Sequence, residues 1–447
     1  MKSVASRNPQ RSWTDKSSNS SENHYAKLAA REISSTLFET TGKLKLGRKH
    51  RPDYIMVILI LVLALIGTMV LFSIAPAISQ GSDSDSTSFM WRQGIFLAFG
   101  LITFFAISQI PLDFWRKWGS KIFLFALILC FLLPIFGMMK LPIAICTLGA
   151  CRWYNIAGVG SFQPAEFLKF GTVLFTAGFL AVRSAQNRLN SWRTMLELGI
   201  IMLFSLFVIV IMQKDLGTGV ALMAIVLVQL IVAGLSWRKF AALLSGVVAL
   251  GVASIIVAPH RLQRVATFFG DGNAETDYHI NQAMIALGSG GMTGRGLGQS
   301  VQAFGWLPEA VNDSIFAIIG ETLGFVGVFA ILILFAALLK RIIGKIDYTD
   351  NAFLRLILAG VFGWLFAHVA LNIGAMTHII PLTGITLPLV GIGGTSMMFI
   401  MASLGLVFAI SKYTSHRKIK LEKGESDENT LRRRRNWRTY NSNRSGN

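Results

Sequence analysis

Residues 308–321 read Pro-Glu-Ala-Val-Asn-Asp-Ser-Ile-Phe-Ala-Ile-Ile-Gly-Glu, placing three carboxylates, Glu309, Asp313 and Glu321, where a polar loop enters an apolar span. An ionisable group at membrane depth is costly and marks a candidate functional site. The chain is otherwise sparing with acid, holding 23 Asp and Glu in 447 residues. A helix starting near Pro308 would set Glu309 and Asp313 one turn apart on one face. A carboxylate at a desolvated membrane edge has its pKa raised toward the working pH, which suits a general base. Asp313 fits that role, with Glu309 as orienter or helper. Two facing carboxylates also suit glycoside hydrolysis, but attack by water does not explain a site beside lipid. Solvation at a helix N-terminus accounts well for Glu309 and less well for Asp313, because Ile315, Phe316 and Ile318 follow at once.

Three further clusters could serve the same chemistry. In the first, Arg152-Trp153 precedes Phe162-Gln-Pro-Ala-Glu-Phe-Leu-Lys169 at the start of a span. Pro164 fits a helix first turn, Glu166 lies in the positive end of the dipole, and Lys169 follows one turn on. Two readings stand side by side. Glu166 and Lys169 form a local pair that stabilises the helix start, or Lys169 and Arg152 offer cations to an anionic headgroup while Trp153 packs on a sugar or lipid. In the second, Gln213-Lys-Asp-Leu-Gly-Thr218, Asp215 reads as a turn residue and N-cap, and any catalytic part for it is secondary, as for Glu321. The stretch from His279 to Leu307 is glycine-rich, but Gly294-Arg-Gly-Leu-Gly298 follows an apolar helix-like run and is not GxGxxG, which excludes a nucleotide fold. Such glycines fit sharp turns and close backbone approach, and Arg295 among them is another candidate cation. The last cluster, Asn372–Ser396, holds two prolines and five glycines. It implies a re-entrant backbone lining a cavity, or a plain helix break.

Composition dictates what must position these residues. Apolar residues make up 53% and charged residues 15%, with 32 Phe and a mean hydropathy of +0.55, which predicts an all-α polytopic membrane protein. Apolar windows fall near 54–79, 92–111, 121–139, 162–182, 195–212, 216–234, 240–258, 314–339, 354–376 and 391–411, predicting ten spans. Basic residues gather in alternate connections (Arg116, Lys117, Lys121; Arg183, Arg188, Arg193; Arg238, Lys239; Lys340, Arg341, Lys345), so both termini are expected in the cytoplasm. The first apolar run is too long for a cleavable signal peptide and is expected to remain. The outer segments are poorer in cations, as in Gly81-Ser-Asp-Ser-Asp85, and the largest, 259–313, reads as a functional loop without regular structure before its end.

Residues 1–52 and 412–447 each hold 11 Lys/Arg against 4 acids, so the two ends carry 14 of the 19 net positive charges. That placement argues against nucleic acid as a partner and divides the chain into a basic tail (1–52), a membrane domain (53–412) and a second tail (413–447). The tails lack apolar periodicity and are expected to be mostly disordered. Arg432–Arg435 with Arg438 either hold anionic lipid or an acidic partner, or form a solvated tail that fixes topology. Cys130, Cys146 and Cys151 match no zinc spacing, and the seven histidines are scattered. Cys146 and Cys151 share one outer loop, as a disulfide or as two thiols. No internal repeat is visible, which disfavours an inverted-repeat transporter.

Taken in order, these clusters resemble the SEDS family of bacterial membrane proteins (shape, elongation, division and sporulation; FtsW, RodA and SpoVE) over about residues 54–412. Arg152-Trp153 with Gln163-Pro-Ala-Glu-Phe-Leu-Lys169 is similar to the family's Arg-Trp and Gln-Pro-[Ser/Ala]-Glu-x-x-Lys segment. Gln213-Lys-Asp-Leu-Gly-Thr218 resembles its Gln-Pro-Asp-Leu-Gly-Thr, and Leu307-Pro-Glu-Ala-Val-Asn-Asp-Ser-Ile-Phe-Ala317 its Leu-Pro-Glu-x-x-x-Asp-[Phe/Ser]-Ile-Phe-Ala. The resemblance implies a ten-span peptidoglycan glycosyltransferase of the bacterial plasma membrane that polymerises lipid II beside a class B penicillin-binding protein. Asp313 then matches the essential loop aspartate. Gly296-Leu-Gly-Gln-Ser-Val-Gln302 and the long basic N-terminal tail look more like FtsW than RodA, implying a septal role with other divisome proteins. Four departures stand out: Lys214 for the usual proline, Val311-Asn312 for His-Thr, Cys151 for a frequent Arg, and Gly391-Ile-Gly-Gly-Thr-Ser396 for Ser-Tyr-Gly-Gly-Ser-Ser. The second removes a histidine helper beside the base.

Such a polymerisation needs a base for the acceptor hydroxyl and positive charge for the departing diphosphate. Lys169, Arg152 and Arg295 are the protein's candidate cations, and a divalent ion, Mg or Mn, would serve the same end. Two rivals come from other classes. A flippase for lipid-linked precursors would use the same cations but need no base at position 313. A non-catalytic division scaffold would depend on its tails and not on Asp313.

Overall fold

The computed structural model describes Leu44 and residues 49–79, 86–147, 149–156, 160–269, 274–391 and 393–414. The basic tails, Arg432–Arg435 and Arg438 included, and the 81–85 segment lie outside the described residues apart from a few positions at their inner ends. Twelve helices are described: α1 Tyr54–Ser79, α2 Ser86–Gln109, α3 Leu112–Met138, α4 Pro164–Ala185, α5 Trp192–Leu206, α6 Leu216–Ala233, α7 Trp237–Val257, α8 Pro259–Phe268, α9 Ala274–Ser289, α10 Ile315–Ile346, α11 Ala352–Met376 and α12 Gly394–Ser411. Nine described helices are long and apolar enough to cross a membrane, and Gln93–Gln109 of α2 is a shorter apolar stretch. Each of the ten predicted windows therefore falls on a helix. A span of about 20 residues at 1.5 Å rise crosses roughly 30 Å of hydrocarbon with its backbone bonds closed internally.

Helices α4, α11 and α12 form the buried centre, whereas no residue of α7 is buried. Phe123 stacks on Phe175 with ring centroids 4.6 Å apart, and Gly171 admits the α3 backbone at Phe123. The His50 amide donates to the Lys412 carbonyl at 2.7 Å, so the segments leading to both tails leave from one end of the bundle.

One departure from a wholly helical chain is a small antiparallel sheet, β1 Ala144–Thr147, β2 Ala150–Ile156 and β3 Gly160–Phe162, in the order β1-β2-β3. Cys146 faces Cys151 across the first hairpin, and the two form a disulfide. Cys130 is buried and free. Alkylation of unfolded, unreduced protein is accordingly expected to label Cys130 and not the pair, with two further sites appearing after reduction. Labelling of all three thiols without reductant would remove the disulfide.

The 259–313 segment is more regular than its sequence suggests, because it contains α8 and α9. Pro259 opens α8 at a first-turn position, where a missing N–H costs nothing. The predicted helix start near Pro308 is displaced to Ile315. Glu309 adopts a left-handed backbone (φ 50°), and its carbonyl accepts from the amides of Asn312 and Ser314, winding 309–314 into a turn. Glu309 and Asp313 are thus held by that turn and not by one helical face.

Helix α10 is broken at Gly324 (φ 66°, ψ −166°), and the glycine-rich segment closes the break. Arg295 N donates to Glu321 O at 2.9 Å and Gly296 N to Thr322 O at 3.1 Å. Below the break, Phe325 N donates to Gly291 O at 2.9 Å and Val326 N to Met292 O at 3.1 Å. Backbone groups freed inside a membrane helix must find partners within the protein, and this segment supplies them. A methyl group at Gly290 would overlap the Gly320 carbonyl oxygen, which is why the approach requires glycine. Glu321 clasps the same segment from inside the bundle: fully buried, it accepts from Ser300 Oγ at 2.5 Å and Val301 N at 2.9 Å.

Candidate active site

Helix α5 passes into a π-helical turn at Phe207–Met212 before the Gln213–Asp215 corner. Lys214 takes φ 55°, a conformation closed to the proline that commonly stands there. Arg152 on β2 fastens this corner, with Nε donating to Gln213 O at 3.2 Å and Nη2 to Lys214 O at 2.8 Å. Asp215 caps α6, accepting from Thr218 N at 2.9 Å and Thr218 Oγ1 at 2.8 Å. The capping reading of Asp215 therefore holds.

Helix α8 lays two arginines against this corner. Arg261 Nη2 donates to Val210 O in the π-turn and Nη1 to Ser254 O at 3.1 Å. Arg264 Nη1 donates to Leu382 O, at 3.3 Å, in the segment between α11 and α12. Burial lowers the pKa of both guanidiniums, and the charge of Arg152 lowers each further, while Asp215 acts in the opposite direction on both. Three guanidiniums are thus crowded into one another's fields, an arrangement that a multiply charged anion would relieve. Sequence reading missed Arg261 and Arg264. The available signal was Pro259 followed by two arginines three residues apart, on one face of a short helix.

Asp313 lies half-buried in the 309–314 turn. Asn372 of α11 bridges it to the segment before α12, with Nδ2 donating to Asp313 O and to Ile385 O, both at 2.7 Å. A Cβ on Gly384 would lie 4.0 Å from Asp313 Oδ2, so this segment forms the wall that the carboxylate faces. Asp313 Oδ1 is buried without a hydrogen-bond partner, as is Thr383 Oγ1 beside Gly384. Burial pushes the Asp313 carboxyl up to about 7 and the Glu309 charge adds to it, against its backbone hydrogen bonds and Arg264. Glu309 is exposed and accepts from Asn312 Nδ2 at 2.6 Å. Ser314 Oγ donates to Pro308 O at 2.9 Å and sits 2.8 Å from His279 Nε2 of α9. With its one proton so used, the hydroxyl accepts from His279, which must carry its hydrogen on Nε2. Burial lowers the His279 pKa, with Glu309 opposing and Arg264 reinforcing.

Other sequence candidates lie differently. Lys169 is not presented to a headgroup: it is 1% exposed, with Nζ 2.7 Å from Glu166 Oε1 and 2.9 Å from His368 Nε2. Trp153 is half-buried on β2, opposite Ile145. Arg295 approaches Glu321, with Nε 3.9 Å from Oε1. Among the described residues no three metal-ligating side chains converge.

Comparison with known proteins places this geometry among relatives. The family model described as Cell cycle protein, covering FtsW, RodA and SpoVE, matches residues 53–416. Stage V sporulation protein E of Bacillus subtilis is 33% identical over 377 residues, which span 83% of this chain and 99% of that protein. The probable peptidoglycan glycosyltransferase FtsW of Aliivibrio salmonicida is 32% identical over 358 residues, 78% of this chain and 86% of that one. Among solved structures, a chain from work on coordinated polymerization and crosslinking by a peptidoglycan synthase complex superposes with a TM-score of 0.66 at 24% identity, covering 80% of this chain and 97% of its own. The crystal structure of Thermus thermophilus RodA gives 0.59 at 24%, covering 81% and 98%.

Proposed function

The chain belongs to the FtsW, RodA and SpoVE family of cell cycle proteins, and from that premise we propose that it polymerises lipid II into glycan strands at the division septum, with Asp313 as general base. It is a multi-pass membrane enzyme, a peptidoglycan glycosyltransferase. The division role is supported by the FtsW names of its curated relatives. A crosslinking partner, a class B penicillin-binding protein, is suggested by the synthase complex in which a structural neighbour sits. Other divisome proteins and the surrounding membrane lipids complete the setting.

The observation that carries the reading is the Asp313 carboxylate: half-buried, with a free Oδ1, a pKa near 7, and Arg264 within its field. In the reaction the acceptor hydroxyl attacks the anomeric carbon of the lipid-linked sugar as the bond to the diphosphate oxygen breaks. The hydroxyl proton passes to Asp313, and the electron pair leaves with the diphosphate. Arg264, Arg261 and Arg152 would stabilise that charge. Arg152 does so partly through position, because its fork already holds the Gln213–Lys214 carbonyls.

The test is a pH profile of glycan synthesis by purified protein. A base must be ionised to accept the proton, so turnover is expected to rise with pH through about 7. The Glu309 charge raises the Asp313 pKa, so Glu309→Gln should lower it and move the acid limb to lower pH. An acid limb that stays in place would detach it from Asp313. Lipid II transport without any polymer would instead favour the flippase.

A further inference from the structure

At the end of α10 remote from Asp313 there is a cavity of about 820 Å³. The stretch Phe325–Ile346 alone rises roughly 33 Å at 1.5 Å per residue, so the two sites face opposite membrane surfaces. His50, Arg51, Lys340, Arg341, Lys345 and Tyr348 line it. Arg341 Nη1 and Lys345 Nζ lie 3.7 Å and 3.1 Å from Oδ2 of buried Asp53. That single carboxylate offsets part of the charge of four Lys and Arg, leaving the cavity net positive. A positive-inside bias explains basic residues at this end of the bundle. It does not require them to share the walls of one hollow.

The α10 face that lines the cavity continues into the hydrocarbon region. Ala337, Lys340, Arg341 and Gly344 recur at three- and four-residue spacing, and the same face runs back through Ile333 and Phe329, each 52% exposed. One stripe is therefore apolar along the span and cationic at its end, the pattern that takes acyl chains and a phosphate together. The geometry points to a binding site for one acidic phospholipid, its phosphate among Arg51, Lys340 and Arg341 and its chains along Ile333 and Phe329. The site is independent of the glycosyltransferase reading.

The test uses full-length protein in detergent, native mass spectrometry, and either phosphatidylglycerol or phosphatidylcholine as the probe. Wild type is expected to retain phosphatidylglycerol over phosphatidylcholine by roughly tenfold. Arg51→Gln with Lys340→Gln spares the pair to Asp53 and should abolish the preference, each charge being worth roughly fivefold. Gly344→Leu keeps every charge but fills open space beside the helix, and it too should release the lipid. Equal retention of the two lipids by wild type, or a preference that survives both variants, would overturn the site. Displacement of the lipid by millimolar inorganic phosphate, with equal protection of the fold, would overturn the lipid as the source of the phosphate.

Discussion

Asp313→Asn is expected to insert, fold and bind lipid II while glycan synthesis falls by roughly 100-fold or more, the cost of losing a general base. Asparagine keeps the size and most of the hydrogen bonding, and the Asn372 bridge goes to the residue-313 carbonyl, which the substitution leaves intact. Asp313→Glu should recover little, because moving a reacting group by about 1 Å costs on the order of 100-fold. The Asn variant should also differ in stability with a definite sign. A carboxyl whose pKa rises from 3.8 to about 7 on folding makes the folded state lose stability as pH climbs between those values. Asp313→Asn removes that penalty, so its melting temperature should exceed wild type at pH 8 and match it near pH 4. Wild-type polymer formation by the Asn variant would withdraw Asp313 as the base.

Lys169→Ala is expected to cost about 3–5 kcal/mol of stability, because it strands the Glu166 carboxylate inside the bundle. The pair is almost fully enclosed, with side-chain exposures of 1% and 6%. His368 Nε2 accepts from both Lys169 Nζ and Trp364 Nε1, so the neutral ring carries its hydrogen on Nδ1, and the three side chains tie α4 to α11. An exposed helix pair would be worth only about 0.2–0.5 kcal/mol. Glu166→Gln with Lys169→Met should recover most of the loss, since removing both charges leaves neither unpaired. Thermal unfolding in detergent, run beside lipid II binding, separates the alternatives: normal melting with weakened binding would return Lys169 to the substrate.

The spans were legible because 20-residue apolar windows leave the backbone one way to close its hydrogen bonds. What escaped the sequence was set by contacts between distant segments. Glu166 and Lys169 announce a helix-start pair, but only the approach of His368 from another span shows that the pair is internal. Pro308 signalled a helix start, yet the left-handed Glu309 and the Ser314 hydroxyl bonds delay it to Ile315. Asp313 stood out as an acid beside an apolar run. Its partners Asn372, Gly384 and Arg264 lie up to 71 positions away, and nothing local to each points back to it. The glycines of 290–298 were readable as a close approach, although the neighbour they approach was not.

The mended break in α10 bears on how genetic screens of this protein should be read. Replacing Gly290 or Gly324 by any larger residue forces the two backbones apart, so such alleles would score as null in a saturation scan beside those of Asp313. Two kinds of intolerance then share one phenotype, and the abundance of protein in the membrane is what sorts them. Alleles at the break would deplete the protein, whereas alleles of Asp313, if it serves as the proposed base, would leave it present in the membrane and idle.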